Sequence, residues 1–101
     1  MTIDQLKTFL MVAKCLSYHA ASRQLFLSQP SVTSRIQALE RELNVTLFDR
    51  SNQHVRLTEE GRKMVPIAKR MVNMYNRARA TLSPAPLSKQ RPIKSDKKTN
   101  D

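Results

Sequence analysis

Ser28-Gln29-Pro30, followed by Val32, Ile36, Leu39 and Leu43 at spacings of four, three and four, is the stretch that most restricts how this chain can fold. The apolar positions recur with helical period and make one stripe, so the segment is an amphipathic helix. Ser28 is placed to cap its N-terminus. Pro30 suits the first turn, where a backbone N–H has no intrahelical partner. Asn44 follows the stripe directly and tolerates the left-handed conformation that commonly ends a helix.

Upstream, Thr2 and Gln5 form a capping box ahead of Leu6, Phe9, Leu10 and Ala13, which predicts a first helix running to about Leu16. Ser17 then caps a short second helix with Ala20, Ala21 and Leu25 inward, the two alanines allowing another helix to approach closely. Phe26-Leu27 must turn the chain into the helix from Ser28. Downstream, Val45 to Phe48 and Val55 to Leu57 are short apolar runs flanking the polar Ser51-Asn52-Gln53-His54, the pattern of a small two-stranded wing.

Thr58 opens a fourth helix, with Glu59 and Glu60 at the positive end of its dipole. Met64, Ala68, Met71, Tyr75, Ala78 and Leu82 alternate spacings of four and three, the seam of a coiled coil, and predict dimerisation through this helix. Pro66 removes a backbone donor near its start and is expected to bend the axis. From Ser83 onward, Pro84, Pro86, Pro92 and scattered charges with almost no large apolar residues predict a disordered basic tail. The expected organisation is mainly α: a winged helix-turn-helix over 1–58, a linker and dimerisation helix over 59–82, and the tail over 83–101.

With 18 Lys and Arg against 8 Asp and Glu, the net charge of +10 favours polyanionic partners, nucleic acid ahead of an anionic membrane surface. Met1 to Leu16 contains Asp4, Gln5 and Lys7, so it carries no uninterrupted apolar stretch of signal-peptide or membrane-spanning type, and no membrane partner is expected. A lone Cys15 cannot close an internal disulfide, which fits a reducing cytoplasm. The single glycine, Gly61, excludes a glycine-rich phosphate loop. His19 and His54 are too few and too far apart in sequence for a metal site, and Cys15 has no paired His and Asp. No enzymatic activity, metal or cofactor is expected.

A helix turns about 100° per residue, so an inward stripe at Val32, Ile36, Leu39 and Leu43 places Pro30, Ser34, Gln37 and Arg41 outward, with Ser31, Thr33 and Arg35 beside them. Gln pairs with adenine and Arg with guanine; Ser and Thr suit either, and Pro or Thr carbons touch thymine methyls. Glu40 and Glu42 near the C-terminal end would be repelled by phosphates, so the N-terminal end, with Ser28, Gln29 and Ser31, is the one to enter a groove. Such a face on an isolated amphipathic helix is ordinarily just solvated surface. The order helix, short helix, turn, helix and wing, together with the positive charge, favours DNA reading.

The run Ala20-Ala21 through Leu25, Ser28 to Thr33, Ile36, Leu39-Glu40, Leu43, Leu47-Phe48, Arg50, Leu57-Thr58 and Gly61 resembles the N-terminal winged helix-turn-helix of LysR-type transcriptional regulators, from about residue 3 to residue 80. The resemblance implies that Gln29, Pro30, Thr33, Ser34 and Arg35 lie at DNA, that Arg50 and nearby wing residues such as Arg56 contact backbone or minor groove, and that the helix after Thr58 links two copies. Asn44 stands where that family usually has Gly, and Ser31 and Thr33 where it usually has Ala and Ser. Family members carry an effector-binding domain after the linker helix. Ser83 to Asp101 is too short for one, so no small-molecule effector site is expected within this chain.

The expected function is a sequence-specific transcriptional regulator binding double-stranded DNA as a homodimer in the bacterial cytoplasm, associated with the nucleoid. Its candidate DNA-binding residues are Ser28, Gln29, Pro30, Ser31, Thr33, Ser34, Arg35, Gln37, Arg50 and Arg56. Two alternatives remain open at this point: an interaction module forming mixed dimers with full-length relatives, and nonspecific coating of polyanions by charge.

Overall fold

The computed structural model describes residues 1–51 and 54–83. Four helices and a two-stranded sheet follow in order: α1 (Ile3–Cys15), α2 (Tyr18–Leu25), α3 (Gln29–Leu43), β1 (Phe48–Asp49), β2 (Arg56–Leu57) and α4 (Glu59–Leu82). The tail expected after Ser83 lies outside the described residues, as do Asn52 and Gln53 of the polar wing stretch.

Each helix starts at the polar residue its sequence offers. Thr2 accepts from the Gln5 N–H while the Gln5 side chain accepts from the Thr2 N–H, closing the capping box. Ser17 accepts from Ala20 N–H, Ser28 from Ser31 N–H and Thr58 from Gly61 N–H, each satisfying a donor that the helix leaves free. Leu16, Phe26 and Asn44 end the first three helices in the left-handed conformation, with φ of 52°, 57° and 56°. Pro66 lies about two turns inside α4, farther in than a first-turn proline, and the helix continues through it without a break.

Helix α1 packs against α2, α3 and α4 and is the centre of the bundle. Its buried Leu6, Phe9 and Val12 meet Val32, Ile36 and Leu39 of α3 in one core with Ala21, Leu47, Phe48, Met64 and Ala68. The inner face of α2 differs from the alanine pair expected: Tyr18, Ala21 and Ser22 are buried, while Ala20 is half-exposed. Buried Ser22 donates to the His19 carbonyl at 2.7 Å and buried Thr8 to the Asp4 carbonyl at 2.7 Å, so neither hydroxyl is left unpaired in the core.

The wing is shorter than its apolar runs suggest. Among the described residues, Phe48 pairs with Leu57 and Asp49 with Arg56, antiparallel. The preceding Val45 to Leu47 is not strand, because its backbone is claimed from elsewhere. The Glu40 carboxylate accepts from Leu47 N–H at 2.7 Å and Phe48 N–H at 3.3 Å, and Thr58 donates to the Thr46 carbonyl. Phe48 then anchors the wing on the bundle, its ring 5.4 Å from Phe9 and 6.0 Å from Tyr18 between centroids. The architecture is a winged helix-turn-helix followed by a long helix.

Candidate nucleic-acid interface

Helix α3 turns one side into the core and leaves the other free, as its spacing demands. Gln29, Pro30, Ser34 and Gln37 are exposed and Thr33 is half-exposed, and these five side chains line one shallow concavity along the helix. No acidic residue is among them. Gln37 is shared with a second hollow that contains Glu40, Arg41 and Asn44, so the negative charge starts where this face ends.

Ser28 and Ser31 are exposed but engaged with each other, since Ser28 Oγ donates to Ser31 Oγ at 2.8 Å while accepting from Ser31 N–H at 3.2 Å. This pair fixes the helix start and has less hydrogen-bonding capacity left for a ligand than Gln29 or Ser34.

Arg35 is half-buried and does not simply point outward. Its Nη1 reaches Thr8 Oγ1 on α1 at 3.4 Å. Thr8 can accept because its own proton goes to Asp4, so the guanidinium is steadied along the flank of α3 with most of its five donors still unused.

Arg50 leaves β1 and lays its guanidinium over the Tyr18 ring, 4.2 Å from the centroid, at the start of α2. Burial pushes the Tyr18 hydroxyl up to about 12, against the opposing pull of the Arg50 cation, so at neutral pH the ring beneath the cation is an uncharged phenol. Arg56 is exposed opposite Asp49. The Asp49 carboxyl is held below its ordinary range by Ser51, whose hydroxyl and N–H both donate to it.

The seam expected on α4 divides. Met64 and Ala68 are buried in the chain's own core, whereas Met71, Tyr75 and Leu82 are exposed. Ile67 and Met74 join the exposed set, the latter 72% exposed. The regular four-three spacing therefore spans two environments, buried at Met64 and Ala68 and exposed from Met71 onward.

Tyr18, Glu40 and Thr8 escaped the sequence reading as partners of the site. Tyr18 was legible in principle, for Tyr18, Ala21, Ser22 and Leu25 share one helical face once tyrosine is counted as apolar. Glu40 and Thr8 act across 7 and 27 residues respectively, and nothing local in the sequence announces that.

Among the described residues, no group of three or more His, Cys, Asp and Glu is placed to hold a metal ion, and no helix is long and apolar enough to cross a membrane. The fold and the polar face of α3 define the helix-turn-helix class with a wing.

Residues 3–62 match the family described as "Bacterial regulatory helix-turn-helix protein, lysR family", and the chain belongs to that family. A transcriptional regulator from the ibpB-leuC intergenic region of Azotobacter vinelandii is 42% identical over 83 residues, covering 82% of this chain and 58% of the relative. CitR of Bacillus subtilis is 39% identical over 82 residues, 81% of this chain and 28% of the regulator, so the chain spans only part of the relatives it matches. Among solved structures, the LysR family regulator VV2_1132 superposes with a TM-score of 0.80 at 33% identity, covering 86% of this chain and 30% of that one. The DNA-binding domain of CbnR, solved in complex with DNA, superposes with a TM-score of 0.74 at 37% identity, covering 77% of this chain and 90% of that one. These relatives are transcriptional regulators.

Proposed function

We propose that this chain binds double-stranded DNA sequence-specifically as a homodimer and regulates transcription in the bacterial cytoplasm, at the nucleoid. The observation that carries the reading is the acid-free outer face of α3, where Gln29, Pro30, Thr33, Ser34 and Gln37 line one concavity from the N-terminal end to the middle of the helix. Likeness to the CbnR domain, whose structure was solved with DNA, supports placing α3 in the major groove. Gln29 and Gln37 then read base edges and Pro30 and Thr33 present carbon to thymine methyls, while Ser28 and Ser31 position the helix end. Arg50 and Arg56 follow the phosphate backbone or minor groove from the wing, with Arg50 oriented by Tyr18.

Dimerisation runs through the part of α4 that leaves the bundle, with Met71, Tyr75, Ala78 and Leu82 in the seam. Met64 and Ala68 support it from inside by fixing the root of the helix. The same exposed stripe would serve a mixed dimer with a longer relative, and co-purification from cells containing both proteins separates the two forms.

The test is alanine substitution read on matched and mismatched duplexes. Arg35→Ala is expected to weaken binding to a selected site by about 1–3 kcal/mol and to relax preference at one base pair if the guanidinium reads guanine. An equal loss on every duplex contradicts base reading by Arg35 and makes it a phosphate contact. Equal affinity of the unaltered protein for all duplexes contradicts the function itself.

A further inference from the structure

A groove of about 620 Å³ opens between α1 and the root of α4. Leu10, Met11 and Ala13 of α1, Leu25 at the end of α2, Leu57 of β2 and Val65 of α4 form its walls, each half-buried. Three further lining residues are Lys7, Lys14 and Lys69, and no Asp or Glu is among the described residues that line it.

The volume falls within the range of small-molecule sites, roughly 300–1,000 Å³, and an apolar lining with a few charged groups is their usual composition. Lys7 and Lys14 are two turns apart on one face of α1, and Lys69 stands across from them on α4. The Lys7 ammonium lies over the Tyr75 ring, which leaves Lys14 and Lys69 at the apolar hollow; a single carboxylate between these two cations relieves their repulsion while its hydrocarbon covers the exposed leucine, methionine and valine carbons.

A second copy of the chain fits this groove poorly. At about 100° per residue, Lys69 lies about 140–160° round the α4 axis from Met71 and Met74, and the groove adjoins the exposed stripe at its Lys7 end, where Nζ lies 5.8 Å from the Tyr75 ring centroid. The α4 of a second copy would also bring Arg70, Arg77 and Arg79 toward three lysines.

We propose that the groove between α1 and α4 binds a medium-chain aliphatic carboxylate, held by its hydrocarbon between Leu10, Leu25, Leu57 and Val65 and by its anionic end at Lys14 and Lys69. The site joins α1, which steadies Arg35 through Thr8, to the wing strand β2 and to α4, so its occupant touches the elements that position the reading helix.

The experiment is a ¹H–¹⁵N NMR titration of the full chain with octanoate and, in parallel, with uncharged 1-octanol. The expected result is saturable octanoate binding, with shifts centred on Leu10, Met11, Ala13, Leu25, Leu57 and Val65, and octanol at least tenfold weaker. The exposed-lysine variant K14Q/K69Q, checked for folding by circular dichroism, is expected to bind octanoate about tenfold more weakly, while K63Q, outside the groove, binds as the unaltered chain does. Octanol binding as tightly as octanoate overturns the proposal, as do shifts confined to the Ile67 to Leu82 stripe. Groove resonances that move with protein concentration alone also overturn it, since they assign the hollow to a second copy.

Discussion

Three helices end on residues with positive φ, and none of the three is glycine. The left-handed region costs an L-residue about 1–2 kcal/mol, less for Asn, so Leu16 and Phe26 carry strain that Asn44 largely avoids. Phe26 also leaves its ring 94% exposed. Phe26→Gly is expected to stabilise the fold by about 0.5–1 kcal/mol in urea denaturation, after the greater freedom of glycine in the unfolded chain is discounted. A loss of stability would mean that the ring has a contact in the folded state. The chain's one glycine is used differently. A Cβ on Gly61 would stand 2.2 Å from the Leu47 carbonyl oxygen, so α4 can approach the strand-bound segment only without a side chain there. Gly61→Ala is expected to cost about 1–3 kcal/mol, and an unchanged midpoint would contradict that close approach. Tyr18 gives a pH signature. Its folded-state value of about 12 lies above the ordinary 10, so its contribution is complete below pH 10 and is lost as pH rises toward 12. Tyr18→Phe should flatten that part of the stability profile relative to the unaltered chain; identical profiles would place the hydroxyl in water.

At the scale of elements, the helices were legible because their signals are local. Thr2, Ser17, Ser28 and Thr58 each accept the N–H three residues ahead, which spacing alone predicts. Strand lengths were less legible: Val45 to Leu47 has the composition of a strand, but Glu40 and Thr58 bond to its backbone from other elements. Likewise the position of Arg35 depends on Thr8, 27 residues away, and the Arg50 stack depends on the packing of α2 against β1. Helix α4 is the most instructive case. Its heptad-like spacing predicts one seam, yet Ala68 is fully buried in the chain's own core while Leu82 is 82% exposed. Periodicity reports an apolar face without saying which neighbour covers it. Met71→Lys, on the free part, is expected to leave the fold intact and yield a monomer in sedimentation. A dimer of that variant would place the interface elsewhere.

Considered whole, the described chain joins a basic head to a helix of 24 residues, about 36 Å long, of which only the first turns are rooted in the core. In the proposed dimer a two-fold axis would relate the two α3 faces, and the spacing of half-sites on DNA should then be about one helical turn or a multiple of it. The net charge of +10 supplies attraction to any duplex, which weakens steeply with salt, whereas the uncharged side chains of α3 supply discrimination that salt affects far less. The most direct test is therefore selection of bound sites from a random duplex pool, followed by competition at physiological salt. Sequence-specific reading by α3 predicts a recovered site with two related halves, bound at least about 10³-fold more tightly than random duplex. Recovery of no common sequence, with equal affinity for selected and random duplexes, would contradict it.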